Sequence, residues 1–427
     1  MATETDVALL GYGTVGAAVD RLLAASADDI ERATGHRLRL RKALVRNPSR
    51  HPDAPAGLLT TDFDAIAGDP SIAVVAEVMG GVEPTGGHVL DLLGRGKHVV
   101  SANKQLIARR GAELFATASS AGVQLRFEAS VCAAIPVIKV LRESLVVSNV
   151  HRVLGIVNGT TNFILTRMES GDTYADALAE AQRLGYAEAD PAEDVNGADA
   201  AAKMAILATV AFGSRVLVDD VAYEGIEGLK PEHVEAARSL GAVVRLVGTA
   251  TLVGDAVDVR VGPSLVDREH PLASVAGAFN AVMLQGDAIR ELMLEGPGAG
   301  GIETASAIVA DLVSVLGSSG TGFLQGDASW RTLEKLPPGD LPASYYVRIE
   351  VADQPGVLAH VAESFAREGV SIARLTQHLV DGAAALDVVT HTAPSGRVDA
   401  ALDAIGSLSE VQARPDALRL VVERGIQ

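Results

Sequence analysis

The chain has 427 residues, 48% of them apolar and 21% charged, a balance that supports packed cores and excludes a disordered chain. Its formal charge of −18 offers no general phosphate-backbone surface, which argues against nucleic acid as a partner. The one cysteine, Cys132, rules out an intrachain disulfide and a cysteine-based zinc site. No apolar stretch approaches the roughly 20 residues of a membrane span. The acidic opening Met1–Asp6 lacks the basic region of a signal peptide. The expectation is a cytoplasmic protein of several domains, with no membrane partner.

Val7–Leu10 is a short apolar run. Gly11-Tyr12-Gly13-Thr14-Val15-Gly16 follows, and helical composition continues from Ala17 to Ala25. In a strand–turn–helix of this kind the glycines of G-x-G-x-x-G each have a task. Gly11 makes the tight turn, Gly13 lets the backbone approach a pyrophosphate, and Gly16 lets helix and strand pack closely. The positive helix end and its free N–H groups then face the phosphates. A second run, Leu38–Val45, ends at Arg46. An acid there would take a ribose 2′-hydroxyl, whereas an Arg accommodates a 2′-phosphate. Arg46 therefore favours NADP over NAD, the alternative being a solvated turn arginine.

Further runs end at Gly80-Gly81 (Ile72–Met79), at Ser101-Ala102-Asn103-Lys104 (His98–Val100) and at Glu128 (Val123–Phe127). Strands alternating with helical patterns predict a Rossmann-type, doubly wound parallel sheet. Such a sheet binds ligands beyond the carboxyl ends of its strands. Gly13, Arg46, Gly80, Lys104 and Glu128 all fall there.

From about Ile135 the texture becomes α+β, as expected of a substrate-binding and dimerisation domain. Helices are predicted at Tyr174–Leu184, Ala198–Phe212 and Pro231–Leu240, and strands at Val153–Val157, Val243–Leu252 and Val257–Leu265. Asn158-Gly159-Thr160-Thr161-Asn162 offers N–H groups and hydroxyls to a small polar ligand, or simply caps a helix. Five acids lie between Glu188 and Asp199. Asp199 and Lys203 are four apart and share a helix face. The bland reading is an ion pair on the surface, worth less than about 1 kcal/mol. The apolar run Met204–Leu207 argues instead for a buried lysine beside an acid, an arrangement suited to proton transfer.

Only seven of the 36 basic residues are lysines, so each is a candidate for a titratable amine. Lys104, at a strand end of the nucleotide domain, is the second. These residues suit carbonyl reduction. A nicotinamide would deliver hydride, a positioned ammonium would protonate the oxygen, and Glu188 would hold a substrate ammonium. Gly296–Gly301 precedes a helical pattern, Thr304–Val315. The tail reads βαββαβ, a ferredoxin-like order. The expected domains are a dinucleotide-binding domain over 1–134 with a return helix at 300–330, the substrate domain over 135–299, a linker over 331–344 and the small domain over 345–427.

At these motifs the chain resembles homoserine dehydrogenase. The matching segments are residues 11–16, Ser-Ala-Asn-Lys (101–104), Asn-Gly-Thr-Thr-Asn (158–162), Gly-Tyr-Ala-Glu-Ala-Asp-Pro (185–191), 194–203 and Gly-Pro-Gly-Ala-Gly-Gly (296–301). The tail, with Asp-Gln-Pro-Gly-Val-Leu (353–358), is similar to an ACT domain, a module that binds amino-acid effectors. The resemblance implies interconversion of aspartate 4-semialdehyde and L-homoserine in threonine, methionine and isoleucine biosynthesis. It implies Lys203 as proton donor, Lys104 as second catalytic lysine, and Glu188, Asp199, Asp194, Tyr186, Gly159 and Thr160 around the substrate. Gly13, Thr14, Val15, Arg46, Lys104, Gly185 and Gly300 would contact NADP. A monovalent cation, Na⁺ or K⁺, would sit on main-chain carbonyls of Glu128, Val131, Ala133 and Ile135. Threonine would be the effector, and a homodimer or homotetramer the assembly.

Two departures stand out. Cys132-Ala133-Ala134 replaces the family's usual glycines, and Glu303 replaces a proline. Competing readings are a dehydrogenase of a related amino-acid semialdehyde and a non-catalytic amino-acid or NADP sensor.

Overall fold

The computed structural model describes residues 3–34, 36–317, 333–380 and 383–421. In chain order, the nucleotide region runs β1 (Thr3–Leu10), α1 (Thr14–Ala25), β2 (His36–Leu44), β3 (Leu59–Thr60), β4 (Ile72–Glu77), α2 (Thr85–Gly94), β5 (His98–Ser101), α3 (Lys104–Ser120) and β6 (Leu125–Arg126). Next come β7 (Val150–Ile156), α4 (Gly159–Glu169), α5 (Tyr174–Leu184), α6 (Ala198–Phe212), β8 (Ala222–Tyr223), α7 (Pro231–Ser239), β9 (Ala242–Val253), β10 (Ala256–Asp267), β11 (Phe279–Gly286), β12 (Arg290–Pro297) and α8 (Gly301–Gly317). The tail holds β13 (Glu334–Lys335), β14 (Pro342–Val351), α9 (Val357–Arg367), β15 (Ile372–Val380), β16 (Ala383–Thr390), β17 (Ala393–Pro394), α10 (Ser395–Gly406) and β18 (Asp416–Val421). No helix of the described residues is long and apolar enough to cross a membrane.

The chain forms two compact units. The first joins Met1–Gly159, Asp199–Val221 and Phe279–Leu333. Its sheet has the order β3-β2-β1-β4-β5-β6 with every pair parallel. The strand order reverses beside β1, so a crevice opens beyond the carboxyl ends of β1 and β4. The apolar run Ile72–Ala76 contributes Val74 and Ala76 to the core, and the return helix α8 adds Ile308 and Leu312 to the same core as Val7 and Leu9 of β1. The same unit carries a second, antiparallel group, β12-β11-β7. The pair β11 and β12 was not among the expected strands, and Lys203 falls in this unit with the glycine turn, not in the other. Of the expected return helix at 300–330, residues 318–330 lie outside the described residues.

The second unit comprises Thr160–Ala198, Ala222–Ala278 and Glu334–Gln427. The tail folds in the expected order, with α9 and α10 packed on its strands through Val361, Phe365, Val398 and Leu402 against Val347, Ile349 and Val388. It is not a detached module. β18 pairs in parallel with β10, Leu265 opposite Leu420, so β10 belongs to one sheet with β18, β14, β16 and β15. The stretch read as a linker contributes β13, which pairs with β10, and the start of β14.

Candidate active site

The glycine turn follows directly from sterics. Gly11 has φ +103°, and a Cβ on it would stand 2.9 Å from the Val78 carbonyl oxygen. A Cβ on Gly16 would stand 2.5 Å from the Gly11 oxygen, so α1 could not close onto the turn. Gly13 is different. Nothing lies within 4 Å of where its Cβ would be, and it caps α1 without a side-chain hydrogen bond. The space and the N–H groups beside Gly13, Thr14 and Val15 are thus a cradle that the protein itself does not fill, which fits a pyrophosphate. Arg46 is exposed just past β2.

The next strand ends are braced by a residue that motif reading missed. Glu77 is fully buried, and burial raises its carboxyl above the usual range. It accepts from Ser101 Oγ at 2.6 Å and from the Met79 N–H at 2.7 Å. Asn103 caps α3 by accepting from the Leu106 N–H at 3.0 Å, and its Nδ2 donates to the Gly81 carbonyl. Together they fix the first residue of α3, Lys104. The sign in the sequence was an acid at the end of a buried apolar strand.

Lys104 and Lys203 meet on one carboxylate. Lys104 Nζ pairs with Asp199 Oδ1, and Lys203 Nζ lies 2.8 Å from Asp199 Oδ2. Asn158 Nδ2 also donates to Oδ2 at 2.8 Å. Lys203 Nζ donates as well to the Val157 carbonyl at 2.7 Å. Side-chain exposure is 3% for Asp199, 11% for Lys203 and 31% for Lys104. Burial pushes Asp199 up, but the ammoniums of Lys203 and Lys104 outweigh it and hold the carboxyl below its usual range. The resemblance put Asp199 on the substrate; both of its oxygens are engaged by chain residues.

A depressed carboxyl contributes stability that is present above its unfolded pKa and lost as pH falls through the folded value. Asp199→Asn is therefore expected to cost about 3–5 kcal/mol near neutrality, because two ammoniums lose their buried partner. The gap in thermal midpoint from the parent should narrow only below about pH 4, where the unfolded carboxyl takes up its proton. A constant gap from pH 8 to pH 3 would contradict this.

The loop after β6 keeps its shape without glycine. Cys132 and Ala133 adopt φ +56° and +36°, left-handed angles that cost a side-chain-bearing residue about 1 kcal/mol each. Both are buried, and burial pushes the Cys132 thiol up to about 11, which keeps it un-ionised. The Glu128 carboxylate accepts from the N–H groups of Ile138 and Lys139 at 2.8 Å each, capping the helix that follows. Burial, then Asp311, pushes that carboxyl up to about 7. The Glu128 carbonyl accepts from Val131 at 3.2 Å and the Ile135 carbonyl from Val137 at 2.8 Å. Each carbonyl has a second lone pair, so the donor set, all neutral oxygens, suits a monovalent cation.

At the start of α8, a Cβ on Gly301 would stand 2.9 Å from Thr14 Cγ2, so α8 begins against the start of α1. Gly300 has φ +137°, and the Glu303 carboxylate lies over it, 2.0 Å from where a Cβ would be. An acid in a first helical turn complements the helix dipole.

Thr160, Gly185, Tyr186, Glu188 and Asp194 belong to the second unit. Thr160 Oγ1 donates to the Tyr186 carbonyl at 2.6 Å, tying the start of α4 to the turn after α5. Gly185 closes α5 at φ +79°, a left-handed cap. The Tyr186 ring packs 5.0 Å from Phe163, Glu188 is exposed, and Asp194 is half-buried. Gly159, the first residue of α4, lies in the first unit.

A parallel sheet with an open glycine turn, in one unit with two amines sharing a buried acid, defines an oxidoreductase with a nicotinamide cofactor. Residues 11–128 match the family model "Homoserine dehydrogenase, NAD binding domain", residues 136–313 match "Homoserine dehydrogenase", and residues 345–410 match "ACT domain". The homoserine dehydrogenase of Mycobacterium tuberculosis is 45% identical over 97% of both chains. The crystal structure of a homoserine dehydrogenase from Thiobacillus denitrificans superposes with a TM-score of 0.94 at 38% identity, covering 98% of each chain. A hyperthermophilic archaeal homoserine dehydrogenase in complex with NADPH matches at 28% identity and a TM-score of 0.63, covering 73% of this chain and 98% of that one. The chain belongs to the homoserine dehydrogenase family and carries an ACT domain.

Proposed function

We propose that the chain interconverts aspartate 4-semialdehyde and L-homoserine with NADP(H), in the biosynthesis of threonine, methionine and isoleucine in the cytoplasm. The observation that carries this is the pair of ammoniums on Asp199, in the unit that holds the glycine turn. When bound, the nicotinamide supplies the hydride. Lys203 gives its proton to the aldehyde oxygen as charge develops there, and in reverse its neutral amine accepts the alcohol proton. Lys104, the more exposed amine, orients the substrate and contacts the cofactor. Asp199 holds both amines in place.

Glu188 and Asp199 hold the substrate, and Gly159, Thr160, Tyr186 and Asp194 supply polar groups around it. Gly11, Gly13, Thr14, Val15, Gly16, Gly185 and Gly300 bind the dinucleotide. A monovalent cation on the carbonyls of Glu128, Val131, Ala133 and Ile135 would brace the loop after β6. L-Threonine acts as effector through the ACT domain, and the assembly is a homodimer or homotetramer.

Steady-state kinetics with aspartate 4-semialdehyde and each cofactor, with and without threonine, test the reading. Semialdehyde-dependent oxidation of NADPH, inhibited by threonine, is expected; no semialdehyde turnover with either cofactor would overturn it. Arg46→Ala should raise the KM for NADPH by about tenfold, one charge-assisted contact, and leave NADH unaffected. An equal change for both cofactors would remove Arg46 from the 2′-phosphate.

A further inference from the structure

The end of β7 reaches α6 through two consecutive buried residues, Val157 and Asn158. The Val157 carbonyl accepts from Lys203 Nζ at 2.7 Å, and Asn158 Nδ2 donates to Asp199 Oδ2 at 2.8 Å. A Cβ on Gly155 would stand 3.5 Å from Met204 Sδ, ordinary contact, so strand and helix also pack directly beside these two bonds. Asp199 and Lys203, one helical turn apart, thus both meet the junction of residues 157 and 158.

The side chain of an aspartate fixes the plane of its own carboxylate weakly, because χ2 is a broad, two-fold torsion. At Asp199 the plane is fixed from outside. Lys104, at the start of α3, holds Oδ1, and Asn158, at the end of β7, holds Oδ2. Lys203 Nζ lies 2.8 Å from the same oxygen that Asn158 holds. The amide is neutral, so it occupies a lone pair of Oδ2 without adding charge to an acid that already carries two ammoniums. Without that bond the carboxylate can turn about its contact with Lys104, and Lys203 Nζ loses a fixed partner. Displacing a reacting group by about 1 Å can cost about a hundredfold in rate.

We propose that Asn158 is a positioning residue for the proton transfer. It locks the plane of Asp199 and, together with the neighbouring Val157 carbonyl, sets where Lys203 Nζ stands. Asn158 acts through Asp199 and not on the reacting atoms. This role rests on the reading of Lys203 as the proton donor.

Asn158→Ala and Asn158→Asp test it in the full chain, by semialdehyde turnover and NADPH binding from about pH 6 to about pH 9. The alanine variant should lose about tenfold to a hundredfold in kcat at every pH, with the Kd for NADPH within about threefold of the parent. Aspartate matches asparagine in size and caps a helix equally well, so it preserves the start of α4. Once ionised, its carboxylate cannot donate and opposes Asp199 as a like charge. When protonated, it offers an O–H to Oδ2 where the amide offered an N–H. The kcat of Asn158→Asp relative to the parent should therefore climb as pH falls, whereas that of Asn158→Ala stays flat. An asparagine that merely supports the fold gives no such rescue by acid. Parent-like kcat in Asn158→Ala, or a constant ratio to the parent for Asn158→Asp across the range, overturns the role. Should the alanine variant fail to fold, the pH dependence of the aspartate variant decides. Lys203→Ala keeps the two readings apart. Near-parent kcat there removes the proton donor and the role of Asn158 with it, whereas a large loss there beside an unaffected Asn158→Ala removes the role of Asn158 alone.

Discussion

Lys203→Ala is expected to lower kcat by about 10²–10⁴-fold, the range for loss of a positioned general acid. The Kd for NADPH should stay within about threefold of the parent, since no dinucleotide contact is assigned to this side chain. The fold should survive for a particular reason. Asp199 keeps Lys104 on one oxygen and Asn158 on the other, so its buried charge is not orphaned. Truncating Lys203 also frees the Val157 carbonyl, which costs about 1 kcal/mol. Cofactor titration by fluorescence separates binding from turnover, and near-parent kcat would sink the assignment of the proton donor.

Gly13→Val should separate stability, which it leaves nearly unchanged, from cofactor affinity, which it lowers. Its backbone sits at φ −79°, which a side chain tolerates, and no atom lies within 4 Å of the added Cβ. Thermal stability should therefore change by less than about 1 kcal/mol. The isopropyl group would stand where the pyrophosphate approaches the start of α1. NADPH affinity should fall at least a hundredfold, or about 2.7 kcal/mol. Gly16→Val is the control, because a side chain there meets the Gly11 carbonyl and should unfold the turn itself. If Gly13→Val binds NADPH as the parent does, the open space beside α1 is not the phosphate cradle.

Truncating the tail would be a poorer test of regulation than point substitution. Removing residues from 345 onward would strip β18 from β10 and expose an unpaired edge, so lost inhibition could reflect lost structure.

The sequence by itself determined the elements whose chemistry is local. The glycine turn was legible because only residues without a side chain fit at Gly11 and Gly16. Tyr174–Leu184 and Val357–Arg367 were legible at both ends because apolar spacing marks a helix face and a left-handed glycine, at Gly185 and Gly369, stops the chain. The i, i+4 pairing of Asp199 with Lys203 followed from helix periodicity alone. Tertiary structure decided what depends on distant residues. Nothing in the spacing brings Lys104 to Asp199, 95 positions away, and only the fold closes that contact. Nor could spacing show that Glu77 braces the strand ends, that β11 and β12 pair, or that β18 joins β10. Such pairings are set by burial and by backbone hydrogen bonds between remote segments, and a linear sequence records their partners without recording which will meet.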